Sequence, residues 1–185
     1  MLNKPACIRQ ATPDDAKQCL NIYQYYAENT AFSFEESAPT VQQMAQRINA
    51  ITQVYPWLVY DDNQIINGYA YASQFRPRPA YCWTAEVTIY LSDASKGSGI
   101  AGLLYQQLFA GLIEQGFYNA IAVITEPNPE SEIFHQKMGF EKIGTFKSIG
   151  YKSGQWNDIG WWQKQLQPVK ANPGKPSAFN EIDKE

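Results

Sequence analysis

The sequence is short of several features that mark whole protein classes. Its three cysteines, Cys7, Cys19 and Cys82, are odd in number and fit neither a disulfide framework nor a Cys-x-x-Cys metal knuckle. They are expected to be reduced and structural. Only one histidine, His135, is present, so any imidazole chemistry falls on it. No run approaches the roughly 18 apolar residues of a membrane span. The first residues, MLNKPACIRQ, lack the apolar stretch of a secretion signal, and a cytoplasmic protein is expected. A basic excess is also missing: the net charge is −3 and the pI near 5.2, which argues against a nucleic-acid partner. An anionic ligand would have to be caught locally.

What is present is apolar and aromatic: 44% hydrophobic residues, five Trp and twelve Tyr against 18% charged. That composition supplies a core, and 185 residues suit one domain. With no internal repeat and no linker, a domain over residues 1–166 is expected, followed by an extended or loose tail over 167–185 that contains Pro168, Pro173 and Pro176.

The periodicity alternates between helix and strand. Ala6 to Arg9 reads as a short strand, and Thr12-Pro13-Asp14-Asp15 then starts a helix whose buried face is Ala16, Cys19, Leu20, Tyr23, Tyr26 and Ala27. After the loop Thr30–Pro39, Thr40 and Gln43 form a capping box for a second helix carrying Val41, Met44, Ala45, Ile48 and Ile51. Trp57 to Ser73 reads as a hairpin turning at Asp61-Asp62-Asn63. Tyr81 to Leu91 alternates, with Thr84, Glu86, Thr88 and Tyr90 on one face and Trp83, Ala85, Val87, Ile89 and Leu91 on the other, as a central strand would. A helix with Leu103, Leu104, Leu108 and Leu112 ends at Gly116, and Ala120–Thr125 is a buried strand. After Pro127-Asn128-Pro129 a short helix runs to Met138, and Phe140 to Leu166 closes as a hairpin turning near Ser153-Gly154-Gln155.

Several residues stand out chemically. Between a strand and a helix, Lys96-Gly97-Ser98-Gly99-Ile100-Ala101 is a segment whose backbone amides and helix N-terminus would face an anion, although such a segment by itself is more often a plain turn. Glu86, flanked by Thr84 and Thr88 on a central strand, is either a general base or a surface glutamate. His135, one turn before Gly139, is either a catalytic group or packing. Arg76 and Arg78 would clamp a carboxylate or phosphinate, or else form a solvated basic loop. Tyr90 and Tyr105 fit core positions as well as site positions, and Trp156, Trp161 and Trp162 suit packing of the last strands or a dimer contact.

Taken together, Lys96-Gly97-Ser98-Gly99-Ile100-Ala101, Asn128-x-x-Ser131 and the Gly139-Phe140 helix exit resemble the pyrophosphate loop and its partners in the GNAT superfamily of N-acetyltransferases. Within it, YPWLVY, WTAEVTIYLS and GQWNDIGWWQ resemble the phosphinothricin (methionine sulfoximine) N-acetyltransferases, over about residues 6–166. The resemblance implies a mixed α/β fold with a mostly antiparallel sheet. It also implies acetyl-coenzyme A as co-substrate, a small amino-acid-like amine as acceptor, a homodimer and no metal. It makes Glu86 the general base and His135 a group that assists the leaving thiolate or orders a water. A kinked or bulged strand at Ile89, Tyr90 and Leu91 would pair with the pantetheine arm and offer an oxyanion donor. Asn128 and Ser131 would contact the cofactor, and Phe34 and Tyr81 would line the acceptor site with Arg76 and Arg78. Two positions depart from the pattern. Lys96 replaces the usual Arg or Gln, keeping charge without the planar fork, and Gly102 follows the loop. The competing readings are a peptide N-terminal acetyltransferase, which would need an open groove, and a non-catalytic acyl-coenzyme A binding module.

Overall fold

The computed structural model describes residues 5–182. Seven strands form one sheet in the order β1-β2-β3-β4-β5-β7-β6. They are β1 (Cys7–Gln10), β2 (Trp57–Asp62), β3 (Ile65–Gln74), β4 (Thr84–Leu91), β5 (Asn119–Glu126), β6 (Glu141–Lys152) and β7 (Gln155–Gln165). Every neighbouring pair is antiparallel except β4 and β5. Parallel neighbours need a crossover, and helix α3 (Ile100–Gln115) supplies it.

Each face of the sheet buries a different helix set. On one, Leu104, Tyr105, Leu108 and Leu112 of α3 pack on Ala70, Ala72, Ala85, Val87, Ala120, Ala122 and Trp162. On the other, α1 (Ala16–Asn29) and α2 (Val41–Thr52) bring Cys19, Leu20, Tyr23, Met44 and Ile48 onto Trp57, Val59 and Tyr69. Each fully buried side chain of this size contributes about 1.5–3 kcal/mol. The helix starts follow from the residues expected to make them. Thr40 accepts from the Gln43 amide at 3.2 Å while Gln43 accepts from the Thr40 amide at 2.7 Å. At α1, Asp15 closes a single 3-10 turn over Pro13–Asp15, accepting from the Thr12 amide at 2.8 Å and from Arg9 at 2.8 Å.

Two local expectations change. The strand expected from Tyr81 begins at Thr84, because Pro79–Tyr81 forms a 3-10 turn in which the Tyr81 and Cys82 amides donate to Arg78 and Pro79 carbonyls. The segment after Leu166 keeps its irregular course but is tied down. Gln115 donates to the Val54 and Ser177 carbonyls, and Trp83 Nε1 donates to the Gly174 carbonyl at 2.7 Å. Gln167 donates to the Phe117 carbonyl. Its described part ends in a short helix α5 (Phe179–Ile182), with the Phe179 ring facing Gly111 on α3, where a Cβ would meet it at 3.6 Å. Among the described residues no helix is long and apolar enough to cross a membrane, and no three His, Cys, Asp or Glu side chains gather as a metal set.

Candidate active site

The sheet opens at its centre. Strands β4 and β5 pair only at Thr84–Glu86 with Asn119–Ile121, although β4 runs on to Leu91 and β5 to Glu126. From Val87 onward the edge of β4 that faces β5 has no strand partner among the described residues. The bulge expected at Ile89–Leu91 is not what parts them on the β3 side, since the β3–β4 ladder runs from Gly68↔Leu91 to Gln74↔Ala85 without a register shift. The cleft comes from divergence of the parallel pair, and it leaves main-chain groups free for an extended ligand. At the mouth, Tyr26 donates to the Leu91 carbonyl at 2.8 Å and fixes the strand end.

The glycine turn sits at the head of α3, at the end of this cleft. Gly97 and Gly99 have φ of +75° and +87°, conformations that L side chains avoid, and a Cβ at either would meet nothing within 4 Å. The turn is held from behind: Ser98 Oγ donates to the Ser95 carbonyl at 2.6 Å, and Ser92 and Ser95 hydroxyls are bonded at 2.8 Å. Ile100 N donates weakly to Ser98 Oγ at 3.4 Å, whereas the Gly97, Gly99 and Ala101 amides find no acceptor among the described residues. Open amides at the positive end of a helix of this length fit a pyrophosphate. Lys96 is less free than its sequence position suggests. It pairs with Asp93 at 2.9 Å and lies 5.9 and 5.8 Å from the Tyr25 and Tyr26 ring centres.

Glu86 is the last β4 residue paired with β5, at the point where the cleft begins. Among the described residues none donates a hydrogen bond to its carboxylate. Burial raises its pKa above the ordinary value, and the nearby Arg76 charge partly offsets this. Following the register across the sheet, Glu86 shares a face with Ile121, Trp161, Asn157 and Gly150. Arg76 lies 5.5 Å from the Trp161 ring centre and 5.3 Å from that of Phe75, and Phe75 meets Tyr81 edge-on. One arginine, three aromatic rings and the carboxylate therefore stand together. Phe34 reaches the same face farther along, where its ring packs on Gly150. Arg78 lines a cavity of about 280 Å³ together with Arg76, Tyr81, Tyr55, Phe117 and the docked tail at Lys175–Ala178.

Asn128 caps α4 (Pro129–Lys137), accepting from the Ser131 amide at 3.3 Å. Its neighbourhood leads to His135, which lies on the opposite side of the sheet from Glu86, inside the aromatic packing of Tyr105, Phe134 and Phe140. His135 is 4% exposed. Its Nδ1 lies 2.8 Å from the Ser131 carbonyl, which can only accept, so Nδ1 carries the proton. Nε2 is then an acceptor, and Tyr105 Oη donates to it at 3.0 Å. Burial pushes the His135 pKa down to about 4, against the opposing effect of the Ser131 carbonyl. The expectation of a leaving-group acid thus meets an enclosed, neutral ring with both nitrogens engaged. The spacing of Tyr105 on a helix face fits core and site alike and gives no sign of this partner.

Comparison with known proteins agrees with this geometry. The family model described as an acetyltransferase (GNAT) domain matches residues 8–161. A phosphinothricin N-acetyltransferase of Streptomyces viridochromogenes is 34% identical over 94% of this chain and 95% of its own length. An L-methionine sulfoximine/L-methionine sulfone acetyltransferase of Pseudomonas paraeruginosa is 30% identical over 91% of this chain and 99% of its own. The crystal structure of a GNAT superfamily phosphinothricin acetyltransferase from Sinorhizobium meliloti, in complex with acetyl-coenzyme A, superposes with a TM-score of 0.86 at 36% identity, covering 94% of both chains. With the family model matching most of the chain and the parted strands and glycine turn in place, this protein belongs to the GNAT acetyltransferase family, as a member similar to the phosphinothricin N-acetyltransferases.

Proposed function

We propose that this chain transfers an acetyl group from acetyl-coenzyme A to the amino group of a small amino-acid-like acceptor, of the phosphinothricin or methionine sulfoximine kind. The observation that carries this is the position of Glu86: a half-buried carboxylate without a donor among the described residues, at the fork of β4 and β5, beside Arg76 and Trp161.

An ordinary amine is almost fully protonated at neutral pH and cannot attack until it loses a proton. Glu86 accepts that proton, directly or through water, and its raised pKa brings it nearer to the amine it serves. Acetyl-coenzyme A supplies the thioester: the N–C bond forms as the C–S bond breaks, and the departing thiolate takes up a proton. The Gly97, Gly99 and Ala101 amides would hold the pyrophosphate, with Lys96, Ser98 and Ile100 shaping the turn. The free edge of β4 from Val87 to Leu91 would align the pantetheine arm, and an amide near Tyr90 or Leu91 would face the thioester oxygen. Asn128 and Ser131 flank the cofactor at the start of α4. His135 enters through its neighbours, orienting the Tyr105 hydroxyl and the first turn of α4. Arg76, with Tyr81, Phe34 and Arg78, recognises the acceptor's acidic group. A homodimer belongs to this reading and is supported by the exposed Ile143, Phe146, Ile149, Tyr151 and Trp156 on β6 and β7.

A thiol-release assay with phosphinothricin, methionine sulfoximine, methionine sulfone and a short peptide tests the proposal. Turnover of at least one small acceptor is expected, and Glu86→Gln should lower kcat roughly 10²–10⁴-fold at neutral pH. Turnover of the peptide alone, or a variant with undiminished kcat, would refute it.

A further inference from the structure

The loop between α1 and α2, Thr30–Pro39, has no helix or strand, yet it is fastened at several points. Tyr23 Oη and Ser33 Oγ are hydrogen-bonded at 2.6 Å. Arg47 donates to both carboxylate oxygens of Glu35, at 2.7 and 3.2 Å. A further buried fastening comes from the far edge of the sheet: Lys152, the last residue of β6, donates from Nζ to the Ala27 and Ser33 carbonyls, each at 2.6 Å.

Lys152 is only 7% exposed. An ammonium is unfavourable in such a place unless its protons find acceptors, and here two carbonyls take them. Ala27 is in the last turn of α1, where carbonyls lack intrahelical partners and the helix end favours a positive charge. Burial pulls the Lys152 pKa down, while the Glu35 and Glu36 carboxylates pull it back up. Two residues earlier on the same face, Gly150 receives the Phe34 ring, and a Cβ at position 150 would overlap that ring. Through the register of β6, β7 and β5, this face is the one that carries Trp161 and Glu86.

We propose that Lys152 is a positioning residue for the acceptor: it latches the Thr30–Pro39 loop to β6 and thereby seats Phe34 on Gly150 as one wall of the acceptor pocket. The inference rests on reading the Glu86 face as the acceptor side. It adds that the wall is set by a buried cation remote from the reacting atoms.

The test pairs hydrogen exchange with steady-state kinetics. Lys152→Met keeps a chain of similar length but leaves the two carbonyls without their donor. Amide exchange at residues 31–36 should accelerate about tenfold or more, with β4 and α3 unchanged. The acceptor KM should rise by about tenfold, while the acetyl-coenzyme A KM stays within roughly twofold, a split that general loosening would not give. Unchanged loop exchange, or both KM values rising together, overturns the proposal. If Lys152→Met does not fold, Gly150→Ala tests the seat that the latch serves, since a Cβ there would overlap the Phe34 ring. A higher acceptor KM alone supports Phe34 on Gly150 as a wall of the acceptor pocket, and an unchanged one overturns the proposal. Should the unmodified protein acetylate no small amine, the functional reading fails, and loop exchange in Lys152→Met still decides whether the latch exists.

Discussion

The lone histidine offers a measurement free of overlap. In the fold, the His135 ring stays neutral down to about pH 4, whereas in the unfolded chain it takes up a proton near 6.5. Between those values the unfolded state binds the extra proton, so acidification favours unfolding. The contribution is complete above pH 6.5 and is lost as the pH falls to about 4. At about 1.4 kcal/mol per pH unit, the gap is worth ~3 kcal/mol, or roughly 6–12 °C in Tm for a domain of this size. Urea unfolding from about pH 7.5 to pH 4 should therefore show the unmodified protein losing ~3 kcal/mol more than His135→Gln. The comparison cancels the carboxylates common to both. Because His135 is the only histidine, its C2 proton signal in the native state can be followed directly by NMR. Parallel stability curves, or a native imidazole titrating near its ordinary value, would refute the buried, doubly bonded ring.

Glu86→Gln should raise Tm at neutral pH while it lowers kcat. The raised Glu86 pKa means that its favourable contribution is present at low pH and is lost as pH rises through the folded value. Differential scanning calorimetry at pH 7 and pH 4 checks the sign, and a variant less stable at pH 7 contradicts it. Arg76→Gln removes the positive charge that offsets the burial of Glu86, so the acidic limb of the kcat profile should move to higher pH. An unmoved limb would separate Arg76 from Glu86. Gly99→Ala places a side chain at φ +87°, at a cost of about 1–2 kcal/mol if the turn is kept. The acetyl-coenzyme A KM should rise about tenfold with the acceptor KM unchanged, and equal KM values would take the turn out of cofactor binding.

Local rules read well where a residue's partners are neighbours in the chain. The Thr40–Gln43 capping box, the face of α1 from Ala16 to Ala27 and the end of α3 at Gly116 depend on a few adjacent residues, and they stand as the pattern indicates. The alternation of β4 also holds, with Ala85 and Val87 in the α3 core and Glu86 on the opposite face. Pro79–Tyr81 did not yield to that logic, because an alternating run does not reveal that a proline-led turn has delayed the strand.

The partners that matter most to the site are far apart in sequence. Tyr105 and His135 meet from two helices, Lys152 reaches back to Ala27 and Ser33, and the tail closes on Gln115 and Val54. Composition and periodicity alone determined the succession of helices and strands, their buried faces and a glycine turn able to meet an anion, and the family resemblance added the mixed α/β sheet. Only the tertiary structure decided that β4 and β5 part after Glu86, that His135 is neutral and enclosed, and that a buried lysine holds the Phe34 loop. The reason is physical. Periodicity encodes which side of an element avoids water, whereas a proton's location or a strand's divergence depends on which distant groups the fold brings within hydrogen-bonding range.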